Sequence, residues 1–251
     1  MAGDPYLGRV IRANYKITLY NAKDGDHGSP RCSFEGGITT RVITHPAHAD
    51  RLFAYEVTFQ LQHPRVIAVA ALKPPLHFHP HQEEYLQVVE GRLAIEIEGV
   101  ERVLTPEDGE VTFRPWTNHR LYAPTGGADG LKVTRFLLSA QTTQELFRLD
   151  TVFFENWYAY QDQIVVKGEK VDLIQVMSMF DAGGSYLSLP RWIPFSRTIA
   201  RALGIVVGRW IGGVLGYQPF YRKWTTDWQF ACRKMEQTIF HRRFADRSKT
   251  E

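Results

Sequence analysis

The chain has 251 residues, 44% of them hydrophobic and 23% charged, with a formal net charge of +3. Those proportions exclude a disordered or collagen-like chain, and the length suffices for one large domain or two small ones at roughly 150 residues each. Two cysteines, Cys32 and Cys232, are too few for a disulfide framework and point to a reducing compartment.

The first half reads as β-structure. Runs rich in β-branched and aromatic residues predict strands at Tyr15–Tyr20, Ile38–Ile43, Leu52–Gln60, Val66–Leu72, Glu84–Val89, Arg92–Glu98, Val111–Arg114, His119–Tyr122 and Leu131–Leu138. Turn residues separate them at Pro74-Pro75, Glu90-Gly91, Glu98-Gly99, 106–109 and 124–130. Many short strands with regular turns predict a sandwich or barrel. Leu93, Ile95 and Ile97 alternate with Glu96 and Glu98, which predicts a half-buried strand.

After Ser139 the periodicity turns helical. Leu146, Leu149, Val152, Phe153 and Trp157 form one apolar stripe, predicting a helix over Thr142–Tyr160 capped by Thr142 or Thr143. Further helices are expected over Val171–Phe180, from Ser196 to about Gly216, and within Tyr221–Phe240. The predicted organisation is a β lead-in and barrel over 1–140, with its core at about 50–140, and a helical extension over 141–251.

The stretch with most chemistry is Pro74-Pro75-Leu76-His77-Phe78-His79-Pro80-His81-Gln82-Glu83-Glu84. On an extended segment His77 and His79 point to one side. Two imidazoles and a nearby carboxylate, Glu84, can grip one divalent ion, and His119 on a paired strand is the candidate third imidazole. Three His and one Glu leave up to two positions open on a six-coordinate metal. His81 shares their parity, so it is a competing ligand or, with Glu83, a candidate acid–base group. Trp116 and Tyr122 are candidate pocket walls. His27, His45, His48, His63 and His241 are read as structural.

This pattern resembles the cupin superfamily. Its first motif, G-x5-H-x-H-x3-4-E-x6-G, corresponds to Ala71, His77, His79, Glu84 and Gly91, with alanine in the leading glycine's place. Its second motif, G-x5-P-x-G-x2-H-x3-N, corresponds to Gly109, Pro115, Thr117, His119 and Ala123, one residue short before His119. The resemblance covers roughly residues 50–140. It implies a metal held by His77, His79, Glu84 and His119 inside a double-stranded β-helix barrel, with Fe(II) first and Mn, Ni or Zn as alternatives. Single cupins are similar to the cupin-domain oxidoreductases of fungal polyketide pathways, including salicylaldehyde pathways. The expected function is therefore a dioxygenase-like oxidoreductase acting on a small aromatic or enolic molecule. Two alternatives stand beside it: a metal-assisted isomerase, cyclase or decarboxylase without O2, and a non-enzymatic ligand-binding cupin held at a membrane or partner by its tail.

The tail carries its own pattern. From Arg191 to Glu251 there are 12 Lys and Arg against 4 Asp and Glu, so the remainder is acidic. Ser196, Ala200, Gly204, Gly208, Gly212 and Gly216 recur every four residues, a small-residue ridge that calls for a close neighbour. That neighbour is expected to be the barrel, another helix or a second copy in a homodimer. Trp192, Trp210, Trp224 and Trp228 among basic residues make 191–224 a candidate peripheral membrane contact. No apolar run opens the chain over Met1–Lys16, so a cytoplasmic location is expected rather than secretion. Nucleic-acid binding is not expected, because the basic tail contains no reading motif.

Overall fold

The computed structural model describes residues 29–70, 72–124 and 130–248. The expected strand Tyr15–Tyr20, His27 and Ala71 lie outside the described residues. Eleven described strands form two antiparallel sheets. In the first, β1 (Arg31–Ser33), β2 (Ile38–Ile43), β3 (Ala54–Gln60), β10 (Val133–Ala140), β5 (Glu84–Glu90) and β8 (Glu110–Phe113) are neighbours in that order. In the second the order is β11 (Tyr186–Leu187), β4 (His77–Phe78), β9 (His119–Tyr122), β6 (Leu93–Ile97) and β7 (Val100–Leu104). Inward residues of both sheets, among them Val57, Leu86, Val88, Leu93, Ile95 and Phe136, bury a common core. This is the β-barrel expected from the alternating pattern.

Three local expectations are corrected. The run Val66–Leu72 is not a strand, because α1 occupies Pro64–Ala70. Proline at the first helical position presets the turn, and His63 Nδ1 accepts from the Arg65 amide. Val66 and Val69, three apart, then face the core. The helix expected from Thr142 begins instead at Thr151 and runs to Lys167 as α2. Its cap is Asp150, whose carboxylate accepts from the Phe153 amide at 2.9 Å. Residues 141–150 are tied elsewhere: Thr142 Oγ1 donates to the Asp50 carbonyl, and buried Gln82 bonds the backbone of Gln141 and Leu149. Nor is strand β6 half-buried, since Glu96 and Glu98 are each only 8% exposed. Arg120 pairs with Glu96 at 2.5 Å, and Arg197 with Glu98 at 2.7 Å. The neighbouring strand β9, through Arg120, and the helical extension, through Arg197, thus cover the face that alternation assigned to water.

That extension shares the barrel core through Phe153 and Phe154 of α2 and Val176, Met179 and Phe180 of α3 (Leu173–Ala182). The long helix after it comprises α4 (Ser196–Leu203), a π-helical stretch over Gly204–Ile211, and α5 (Gly212–Leu215). The glycine ridge meets an element of the same chain. A Cβ on Gly208 would lie 2.5 Å from the Met177 carbonyl of α3, and one on Gly204 would lie 2.6 Å from the Tyr186 ring. Beside this contact Arg209 binds both oxygens of Asp181, at 2.6 and 2.8 Å, and Asp181 is fully buried. A last helix, α6 (Trp228–Glu236), closes a second apolar cluster around Phe220, Cys232 and Met235.

His241 is buried against that region, and neither ring nitrogen has a partner among the described residues. Burial, reinforced by the charges of Arg209 and Arg243, lowers its pKa to about 4. The unfolded imidazole takes a proton near ~6.5. This contribution to stability is therefore complete above about pH 6.5 and is lost as pH falls toward 4, on the order of 3 kcal/mol in all. His241→Phe should flatten that part of the Tm-against-pH curve relative to the parent protein. An unchanged acid slope would contradict the assignment.

Candidate metal centre

The backbone register brings distant histidines together. His77 on β4 lies directly opposite His119 on β9. His79 follows β4 by one residue, so its ring returns to the side of His77, with centroids 5.1 Å apart. Glu84 opens β5 of the facing sheet and projects into the same space. Ligand atoms of His77, His79, Glu84 and His119 all lie within 4.8 Å of one another. His79, Glu84 and His119 are buried, while His77 keeps partial exposure.

The turn before His119 is short, and the backbone absorbs this at Trp116, which adopts a left-handed φ of 67°. A bulky residue there is strained. The amide of Trp116 donates to the His79 carbonyl at 2.8 Å, and its indole stacks on Phe78 at 5.4 Å. His119 is thereby held inside the barrel, parallel to Phe113 with ring centroids 4.3 Å apart. Tyr122 is buried on the same strand, with the Lys73 ammonium over its ring.

Hydrogen-bond partners determine which imidazole nitrogen faces the cluster. Nδ1 of His77 lies 3.1 Å from the Pro75 carbonyl, and Nδ1 of His119 lies 2.8 Å from the Thr117 carbonyl. A carbonyl only accepts, so each Nδ1 carries hydrogen. Nδ1 of His79 lies 3.0 Å from Ser185 Oγ, whose own hydrogen goes to the Gly183 carbonyl. It too is a donor. In the neutral rings, Nε2 is then a bare lone pair. Yet Nε2 of His119 and of His79 stand 2.9 and 3.1 Å from one Glu84 oxygen. Lone pairs opposed at that separation repel unless a cation lies between them, either a proton on the ring or a metal ion. Donors ~2.1 Å from one metal at right angles are themselves about 3.0 Å apart, so the spacing suits a shared ion.

The electrostatics agree with this. Burial, aided by the neighbouring imidazoles, holds His77 well below the usual imidazole range, and burial also lowers His79. For Glu84 burial opposes ionisation, but the hydrogen bonds and positive charge that His119 and His79 offer when protonated outweigh it and lower its pKa. Three imidazoles with one carboxylate make a donor set that suits Zn, Fe or Ni.

His81 and Glu83 are not brought into this cluster. His81 is exposed, and the Glu83 carboxylate accepts from the Tyr85 hydroxyl at 2.7 Å on the opposite face of β5. The strand pleat separates Glu83 from Glu84, and the chain turns away after Pro80, so shared parity with His79 does not carry His81 inward. Both candidate acid–base groups therefore lie outside the four-residue cluster. His45 and His63 accept backbone amides through Nδ1, in keeping with structural roles.

The helical extension supplies residues that local spacing could not reveal. Ser185 orients His79, and Phe180 sets its ring edge-on to His77 at 5.6 Å. Tyr158 of α2 is buried, and burial together with the Tyr55 and Glu84 charges pushes its phenol far above the ordinary range. It keeps its proton. The only signal for these residues is the helical periodicity itself, which puts Tyr158 near buried Phe154 and Phe180 near Val176.

The cupin-domain family profile matches residues 66–129, which contain all four clustered residues. Probable oxidoreductase yanE of Aspergillus niger is 46% identical over 222 residues, covering 87% of this chain and 84% of that protein. An oxidoreductase of Arthrobotrys oligospora is 45% identical over 221 residues, covering 87% and 86%. Epoxidase atD of Aspergillus terreus is 41% identical over 175 residues, covering 70% of this chain and 54% of that protein. With the barrel, the inward His/Glu cluster and similarity over most of the length of two such relatives, the chain belongs to the cupin superfamily, among its oxidoreductases.

Proposed function

We propose that this oxidoreductase holds Fe(II) through His77, His79, Glu84 and His119 and uses O2 to oxidise a small aromatic or enolic intermediate of a secondary-metabolite pathway. The observation that carries this reading is the convergence of three imidazoles on the Glu84 carboxylate, with ligand atoms within 4.8 Å of one another, a spacing that suits one shared ion. When bound, the metal supplies electron transfer to O2 and Lewis acidity toward a substrate oxygen. The protein does the rest. Glu84 provides the one negative charge, and the Nδ1 contacts of the three histidines hold the rings in place before substrate arrives. Phe113 and Phe180 form apolar walls that exclude water beside the imidazoles. Tyr158, buried in the barrel core, keeps its hydroxyl proton at all ordinary pH. The relative named an epoxidase supports an oxygen-inserting reaction.

The reading without O2 is less favoured, because its proton carriers His81 and Glu83 lie outside the four-residue cluster. Oxygen uptake by Fe(II)-loaded protein with phenolic and enolic pathway intermediates tests the choice. Turnover should stop under nitrogen and consume O2 in proportion to product. Equal turnover under nitrogen would contradict the oxygenase reading.

Ser185 gives a finer test. Ser185→Ala removes the acceptor of the His79 Nδ1 hydrogen without touching a ligand atom. Loss of such an outer contact weakens metal binding by roughly 10–100-fold. Competition with a metal chelator should show this drop, with Ser185→Thr restoring most of it. Unaltered affinity in Ser185→Ala would contradict the orienting role.

A further inference from the structure

The long helix over Ser196–Leu215 is inverted relative to an ordinary surface helix. Its small residues face the protein, and its bulky apolar residues face outward. Trp192 and Phe195, just ahead of it, are 82% and 84% exposed, and Val206, Trp210, Val214 and Leu215 continue the exposed surface along it. A soluble surface helix presents charge on that side. A continuous apolar face of this kind marks a surface that something covers.

Charge indicates what covers it. No Asp or Glu occurs between Arg191 and Gly216. Arginines mark both ends: Arg191 and Arg197 before and within the first turn, and Arg243, which binds the carbonyls of Gly213 and Val214, at the last. The Arg191 side chain remains 66% exposed even while facing Glu98. A second copy laid on this face in either direction would set arginine against arginine, and the one acid paired there, Glu98, is already engaged by Arg191 and Arg197 of its own chain. An anionic lipid surface answers the arginines with phosphates and the apolar ridge with acyl chains. Exposed tryptophans near both ends suit the headgroup boundary.

We propose that this face docks in the plane of an anionic lipid bilayer. The helix is long and apolar enough to cross a membrane by length and composition alone. Its inner face argues against crossing. Gly204 and Gly208 lie against Tyr186 and the α3 backbone, and Arg209 is paired with buried Asp181, so a span would draw α3 and an ion pair into hydrocarbon. One face is held by protein and the other is free, which is the arrangement of an interfacial helix. This inference does not rest on the metal reading.

Co-sedimentation of the full chain with vesicles tests it, using phosphatidylcholine alone and phosphatidylcholine with about one-third phosphatidylserine. The protein should bind the anionic vesicles at least about tenfold more tightly, and raised salt should weaken the binding in part. The double variant Trp192→Glu, Phe195→Asp should lose at least tenfold in binding while keeping its Tm and metal content. Both residues lie outside the packed face, and aspartate tolerates the left-handed backbone of Phe195, where φ is 55°. A parent protein that stays in the supernatant with both vesicles would overturn the proposal. So would equal binding of both vesicle types, or a lipid-free dimer at micromolar concentration that the double variant disrupts.

Discussion

Replacing His119 by alanine should reduce bound metal to a small fraction of one equivalent and lower turnover by about three orders of magnitude, while the barrel remains folded. The expected size follows from the geometry. His119 sits in the closest ligand pair of the cluster, 2.9 Å from the Glu84 oxygen that also faces His79. Without it, one anion faces two imidazoles and one side of the site has no donor. Four kcal/mol of lost transition-state stabilisation corresponds to about a thousandfold in rate. The side chain is buried against Phe113, so the variant also leaves a void, but the β9 register with β4 and β6 is made by backbone and survives. Metal analysis of protein purified without chelator, paired with steady-state rates, checks both quantities. His119→Ala protein with a full equivalent of metal would contradict the four-donor centre. His81→Ala, by contrast, should retain both metal and rate, because His81 is exposed and outside the cluster.

Gly208→Leu should be the most destabilising single substitution in the extension. The first added carbon already lies 2.5 Å from the Met177 carbonyl and 2.8 Å from the Ser178 amide, both backbone atoms that cannot rotate away. The helix must therefore move off α3. Overpacking of this kind costs about 1–3 kcal/mol. Separation also pulls Arg209 from Asp181, and an uncompensated buried charge costs a further ~3–5 kcal/mol. The total approaches the whole stability of an ordinary domain, about 5–15 kcal/mol. At ~2–4 °C per kcal/mol for a chain of this size, Tm should fall by 10 °C or more, or the protein should become insoluble. Val206→Leu, on the exposed side of the same helix, should leave Tm nearly unchanged. Gly208→Leu protein with the parent's Tm would show that the helix does not sit on α3.

Much of the site is local in sequence, which explains how far it could be read. His77, His79 and Glu84 lie within eight positions, and strand parity alone aims the two imidazoles together. His119 needed one pairing, β4 with β9, and the family motif supplies it. Expectations failed where a distant partner, or in one case a local helix start, decided the outcome. Glu96 and Glu98 alternate as a solvent face would, but Arg120, Arg191 and Arg197 cover them. The β-branched run at Val66 has strand composition, yet Pro64 starts a helix there. Ser185 touches His79 across 106 positions, and no local spacing encodes that contact. The glycine ridge announced a close neighbour correctly, but only the structure identifies α3 as that neighbour. Strands Arg31–Ser33 and Val100–Leu104 were missed, being short or broken by charge.

The central claim is that four side chains on two facing sheets hold one redox metal. Anomalous diffraction at the iron edge, from crystals of Fe(II)-loaded protein grown without oxygen, addresses it in one measurement. The account predicts a single peak within about 2.0–2.3 Å of Nε2 of His77, His79 and His119 and of a Glu84 oxygen. A peak ligated by His81, or no peak between the two sheets, would contradict it.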